Sequence, residues 1–306
     1  MVLFRHRPTS LGSYINSGGL TLFHKFIGHI YNHSIMQILL KLLLPPPPPP
    51  PCTNNEEPGT FAYNTTTELE EDSFHENDFQ RALKCSWYTS PGTLSLLVKK
   101  LAVDMSEDEN IWIGSHHSSQ LLISLIQNST LDSSFLKTLT GDADIFRSIV
   151  ERATTVREGE EFVQYESPMT YSMNVLEVIL LQLAGYGNIP IELMKVDGDQ
   201  ANINIVLQLL PSVLNSLSSL LQHPVTETWK TVTTINIRPM LGASRLRIIK
   251  LIEAVILSDD TAMDEELGKS DVLQQCLELF WQMEFCSMLH QSVANVIVIG
   301  KVLRCF

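Results

Sequence analysis

The chain has no glycine run of the P-loop or dinucleotide-binding kind, so the usual backbone cradle for phosphate groups is excluded as its source of function. Cysteine is sparse as well. Cys52, Cys85, Cys276, Cys286 and Cys305 are odd in number, scattered, and set mostly within apolar helical patterns. That usage indicates neither a disulfide framework nor a zinc site, and it fits a reducing compartment. Positive charge is short too: 21 Lys plus Arg stand against 34 Asp plus Glu, a formal charge of -13. Such a balance disfavours nucleic acid or an anionic membrane surface as the main partner. Met1 to Gly19 mixes Arg5, Arg7, Pro8, Ser and Gly without a continuous apolar centre, so it is not read as a secretory leader. Residues 1–19 are expected to be unstructured.

What is present is helical periodicity. Leu20 to Leu44 carries two helical patterns, the second N-capped by Ser34 with Ile35, Ile38, Leu39, Leu42 and Leu43 on its inner face. Pro45 to Pro51 is seven consecutive prolines, an extended rod that ends these helices; it is read as a spacer ahead of the alternative, a ligand for the aromatic-lined groove of an SH3-like or WW-like module. The acidic stretch that follows, to Asp78, has little to bury, so residues 45–78 read as a disordered insertion. Helical patterns resume at Phe79. Leu94, Leu97, Val98 and Leu101 share one face; Leu121, Leu122, Leu125 and Ile126 share another; Phe135 to Val150 reads as two short helices broken near Gly141. Arg152 to Glu166 is expected to be charged and exposed. Met173 to Leu183 is again an apolar helix, ended by Gly185 and Gly187. Ala201 to Gln222 has no charged residue, yet its Asn, Gln and Ser content and Pro211 exclude a membrane span in favour of a buried helix kinked or broken at Pro211.

From Pro239 to Lys301 local signals and overall pattern agree throughout. A turn at Pro239 and Gly242 precedes a helix with Leu246, Ile248, Ile249, Leu251, Ile252, Val255 and Ile256, too apolar to be covered on one side only. Thr261 and Asp264 open the next element as a weak capping box. Ser270 is placed to N-cap a helix carrying Val272, Leu273, Cys276, Leu277 and Phe280, and a further helix from near Ser287 buries Leu289, Val293, Val296 and Ile297. The whole reads as three helices in one packed unit.

Within this stretch Leu241, Gly242, Arg245, Leu246, Leu277, Phe280, Phe285, Leu289, His290, Gln291 and Val293 resemble the signature region of the SAPS family. Members of that family are regulatory subunits of protein phosphatase 6. Met240, Ala243 and Ser244 depart from the pattern, and Met288 is an extra residue ahead of Leu289. His29, Ile30, Ile35, Met36, Leu39 and Leu40 match an earlier segment of the same family, and Trp112-Ile with Leu121 to Ile126 matches a middle one.

The resemblance implies a non-catalytic regulatory and scaffolding subunit. Its expected partners are the catalytic subunit of serine/threonine phosphatase 6, which it would direct to substrates, and ankyrin-repeat regulatory subunits, in the cytoplasm and also the nucleus. Together with the helix lengths it implies an all-α fold, an armadillo/HEAT-like α-solenoid. The domain plan is a first helical segment at 20–44, the insertion at 45–78 and a helical-repeat domain at 79–303. Residues 304–306 read as a truncated tail, because the family's chain normally continues further, and truncation there bears on partner binding. The competing expectation is a helical-repeat adaptor in trafficking or signalling, unrelated to phosphatases.

No catalytic, cofactor or metal residues are expected. His29 and His33 stand i and i+4 on one helix face, but no carboxylate or thiolate stands at ligand spacing beside them. His116 and His117 are adjacent and would point apart on a helix. Cys286 and His290 lack a visible orienting group and oxyanion site, so packing is their expected role. The candidate partner-binding residues are Arg238, Arg245, Arg247 and Lys250, the one basic cluster of an acidic chain. Their plain reading is a solvated helix edge; the sharper one is contact with carboxylates on a phosphatase surface.

Overall fold

The computed structural model describes residues 8–43, 90–102, 109–128, 134–155, 167–184, 200–222, 230–232, 237–239, 241–257 and 261–302. The proline run, the acidic stretch to Asp78 and residues 304–306 lie outside them. Helix α1 (Pro8–Gly28) begins well before Leu20, which corrects the expectation of an unstructured start for residues 8–19. Pro8 is tolerated in a first turn, and Ile15, Phe23 and Ile27, four or eight residues apart, are buried. Gly19, at φ 44, kinks the helix between its two halves.

Helix α2 (His33–Leu43) is capped by Asn32, not Ser34: the Ser34 amide donates to Asn32 Oδ1 at 2.9 Å. Met36, Leu39, Leu42 and Leu43 are buried while Ile38 stays exposed, a small rotation from the expected face. Helix α3 (Pro91–Leu101) has Ser90 as its N-cap and buries the four residues read from its periodicity. The central helices are α4 (Glu109–Gln127), α5 (Ser134–Gly141), α6 (Ala143–Thr154) and α7 (Pro168–Leu183). The break between α5 and α6 falls at Asp142, whose carboxylate accepts from the amides of Asp144 and Ile145. Arg152, expected to be exposed, is buried and donates to the Thr155 carbonyl oxygen at 2.9 Å.

Helix α8 (Gln200–Leu221) runs through Pro211 instead of breaking there. Val213, Leu214, Leu217, Leu220 and Leu221, all buried, hold the part beyond the proline by packing. Among the described residues no helix is long and apolar enough to cross a membrane. A two-stranded antiparallel ribbon, β1 (Lys230–Val232) and β2 (Ile237–Pro239), interrupts the expected all-α pattern. Its source is the β-branched run from Thr231 to Ile237.

Four further helices follow: α9 (Ala243–Leu257), α10 (Thr261–Lys269), α11 (Val272–Gln282) and α12 (Ser287–Val302). The unit therefore holds a short helix, α10, beside the expected three. Ser270 does not cap α11; its hydroxyl donates to the Leu267 carbonyl oxygen and Asp271 takes the cap position.

The described helices pack in two layers. Helices α2, α4, α7, α9 and α12 lie side by side in that order, and α1, α3, α6, α8 and α11 form a second row. Rungs join the rows where α3 meets α4, α6 meets α7, α8 meets α9 and α11 meets α12. The short helices α5 and α10 both rest on α8. A single apolar core from Ile15 to Val296 fills the space between the rows, as a layered helical domain requires.

Candidate functional site

The four cations of the basic cluster do not form one patch. Arg245, on the first turn of α9, is 1% exposed, so its place in a partner-binding surface and its reading as a solvated edge are both corrected. Its Nε donates to the Leu221 carbonyl oxygen at 3.3 Å and its Nη1 to that of Leu241 at 3.1 Å. Leu221 ends α8, where the last carbonyls lack intrahelical donors and a cation is favoured. Arg245 is thus a joint between α8 and α9, and burial pushes its pKa down. Arg238 sits in β2 opposite Thr231. Arg247 and Lys250, about one turn apart on α9, are brought together at a half-exposed surface.

That surface is the wall of a groove of about 390 Å³ crossing the row α4, α7, α9 and α12. Helix α4 contributes His116, Ser119, Gln120 and Ile123, and α7 contributes Tyr171 and Asn174. From α9 come Ala243, Leu246, Arg247 and Lys250, and α12 adds Met288. Two cations line it and no carboxylate does, in a chain of net charge -13. Spacing alone dismissed His116. The structure packs its ring on Tyr171, with centroids 5.0 Å apart, and sets its Nε2 3.0 Å from Gln120 Nε2. Sequence reading missed Gln120, Tyr171 and Asn174 as well; their one signal is that polar residues interrupt otherwise apolar faces of α4 and α7.

Beneath the cations lies Glu177 of α7, 3.6 Å from Arg247 through Oε2 and Nη1. Desolvation raises its pKa above the ordinary carboxylate value, and the neighbouring Glu253 pushes the same way, while Arg247 and Lys250 oppose the shift. The Asn295 amide of α12 donates to Glu253 Oε1 at 2.7 Å and accepts from Gln291 at 3.0 Å. A polar line therefore runs along the row from α12 through α9 to α7.

The other candidate groups are engaged in packing. Because α1 ends at Gly28 and α2 starts at His33, His29 and His33 flank a turn instead of sharing a helix face. His117 is buried and its Nδ1 donates to the Ile30 carbonyl oxygen at 2.7 Å. Four residues beyond Cys286, His290 sends Nε2 to the Phe280 carbonyl oxygen, 3.1 Å away, and lays its ring against Phe280. Burial pushes the Cys276 thiol up to about 12. Among the described residues no group of three or more His, Cys, Asp and Glu side chains could hold a metal ion.

No protein-family model, curated protein or solved structure matches the chain.

Proposed function

We propose that this chain is a non-catalytic regulatory and scaffolding subunit that binds the catalytic subunit of protein phosphatase 6 and directs it to substrates, with ankyrin-repeat proteins as further partners. The fold reading that goes with it is an α-solenoid of the armadillo or HEAT kind. Support for the solenoid is the order of neighbours, in which each helix pair packs mainly on the pair before and the pair after.

The observation that carries the functional reading is that the residues of the SAPS-like pattern do structural work in one packed unit. Gly242 turns the chain at φ 82, Leu241 and Arg245 are buried around the start of α9, and Leu289 and Val293 are buried on α12. His290 ties α12 to the end of α11. Helices α9 and α12 pack directly on each other, so the turn and the Leu-His-Gln segment belong to one body.

Immobilised full-length chain, checked for helical circular dichroism, should capture the catalytic subunit of phosphatase 6 from a mixture that also holds those of phosphatases 2A and 4. Helical chain that captures none of the three, or all three alike, overturns the reading in favour of an adaptor of another kind.

A further inference from the structure

The groove across α4, α7, α9 and α12 is accounted for neither by the proposed phosphatase capture nor by helix packing. Its volume of about 390 Å³ lies within the roughly 300–1,000 Å³ range of ligand clefts, yet it crosses four helices of one row instead of closing into a hole. An extended occupant fits that outline better than a compact one. The charged groups that line the space are both cations, Arg247 and Lys250, while the neighbouring carboxylates, Glu177 and Glu253, lie outside the lining. Lys250 acts on Glu177 through its charge but is in no ion pair within 4 Å among the described residues, so its ammonium group can still meet a carboxylate from outside. Residues of the first two turns of α7 and α9 and the first turn of α12 also line the space, and the positive ends of helix dipoles add to the same field.

The rest of the lining points to a peptide. Asn174 offers an amide that no described residue engages, and such a group can serve both the N–H and the C=O of an extended main chain. Leu246 and Met288 supply apolar contact, and Met288 is well exposed. An exposed Met beside a partly buried Leu is adaptable apolar surface of the kind that binding sites use.

We propose that this groove is a docking site for an extended segment of a partner protein that carries acidic side chains spaced by bulky apolar ones. The carboxylates meet Lys250 and Arg247, and an apolar residue seats between Leu246 and Met288. The site stands apart from the phosphatase reading: it would recruit acidic segments whether or not the chain captures a catalytic subunit.

The test is fluorescence anisotropy of the full chain with three labelled peptides of equal length, one alternating Glu with Leu, one Ser with Leu and one Lys with Leu. The Glu peptide should bind and the other two should not. Lys250→Glu should weaken the Glu peptide by about tenfold or more and admit the Lys peptide, while Lys99→Glu on the exposed face of α3 should change neither. Circular dichroism on each variant separates lost binding from lost fold, and Met288→Ala gives a second variant that leaves the charges in place and should also weaken the Glu peptide. Equal binding of the Glu and Ser peptides overturns the proposal, as does equal weakening by Lys250→Glu and Lys99→Glu.

Discussion

Arg245 supplies donors to two main-chain carbonyl oxygens, 24 and 4 residues back along the chain, at a place closed to water. Arg245→Met should therefore destabilise the fold by about 2–4 kcal/mol, read from the midpoint of urea unfolding, because buried acceptors lose a charged donor. Arg245→Lys should recover only part, since a single ammonium replaces the fork. Glu177 behaves in the opposite sense. Its folded pKa lies above the unfolded value, so the folded state binds more protons between the two values and stability falls as pH rises through that window. Glu177→Gln should consequently be more stable than the parent at pH near 7, and the two should converge once the pH drops below the ordinary carboxylate value of about 4.3. Equal stability at both pH values would contradict this. Cys276, its thiol pushed up to about 12, should resist iodoacetamide in the folded chain and react only on unfolding, as peptide mass spectrometry would show. The burial of Cys276 was legible in its apolar helical pattern, but the roles of Arg245 and Glu177 were not, since Arg245 and Arg247 look alike in the sequence. Which of the two turns inward depends on a carbonyl at the far end of α8, and periodicity does not report a contact at that separation.

At the scale of elements, caps and turns were the most legible features, because their causes lie within a few residues. The break near Gly141 is the Asp142 cap, and Asp142→Ala should cost about 1 kcal/mol of stability in thermal unfolding. Gly242 sits at a φ of 82, in the left-handed region, so Gly242→Ala should cost about 1–2 kcal/mol. The misassigned caps at Ser34 and Ser270 show the limit of this logic. Asn32 takes the Ser34 amide and so starts the helix two residues earlier, and Ser270 bonds backwards to Leu267; both choices depend on where the preceding helix stops. Pro211 shows a different limit, in that a proline sets only local geometry and the buried side chains beyond it kept α8 continuous. The ribbon was missed: its β-branched run favours strand, but three residues per strand fall below what alternation can signal.

Across the whole molecule, the apolar faces told which residues go inside but not which helices become neighbours. Four helices, α6, α7, α8 and α9, meet around a small apolar void of about 20 Å³ lined by Phe146, Val150, Leu176, Val213, Leu251 and Val255, among others. Val213→Ile should fill part of it and raise stability by about 0.5–1 kcal/mol, with thermal unfolding as the check. The groove was illegible for the same reason as that junction, since its residues come from four helices spread over more than half the chain. Its charge could be guessed from α9; its shape could not. The two rows also carry a mechanical consequence. Tension applied between α1 and α12 is passed along the rows from pair to pair, and among the described residues no element joins the first pair to the last. A stretched molecule should therefore lengthen in several small steps in an optical trap, and it should bow under loads too weak to part any rung, as a leaf spring does.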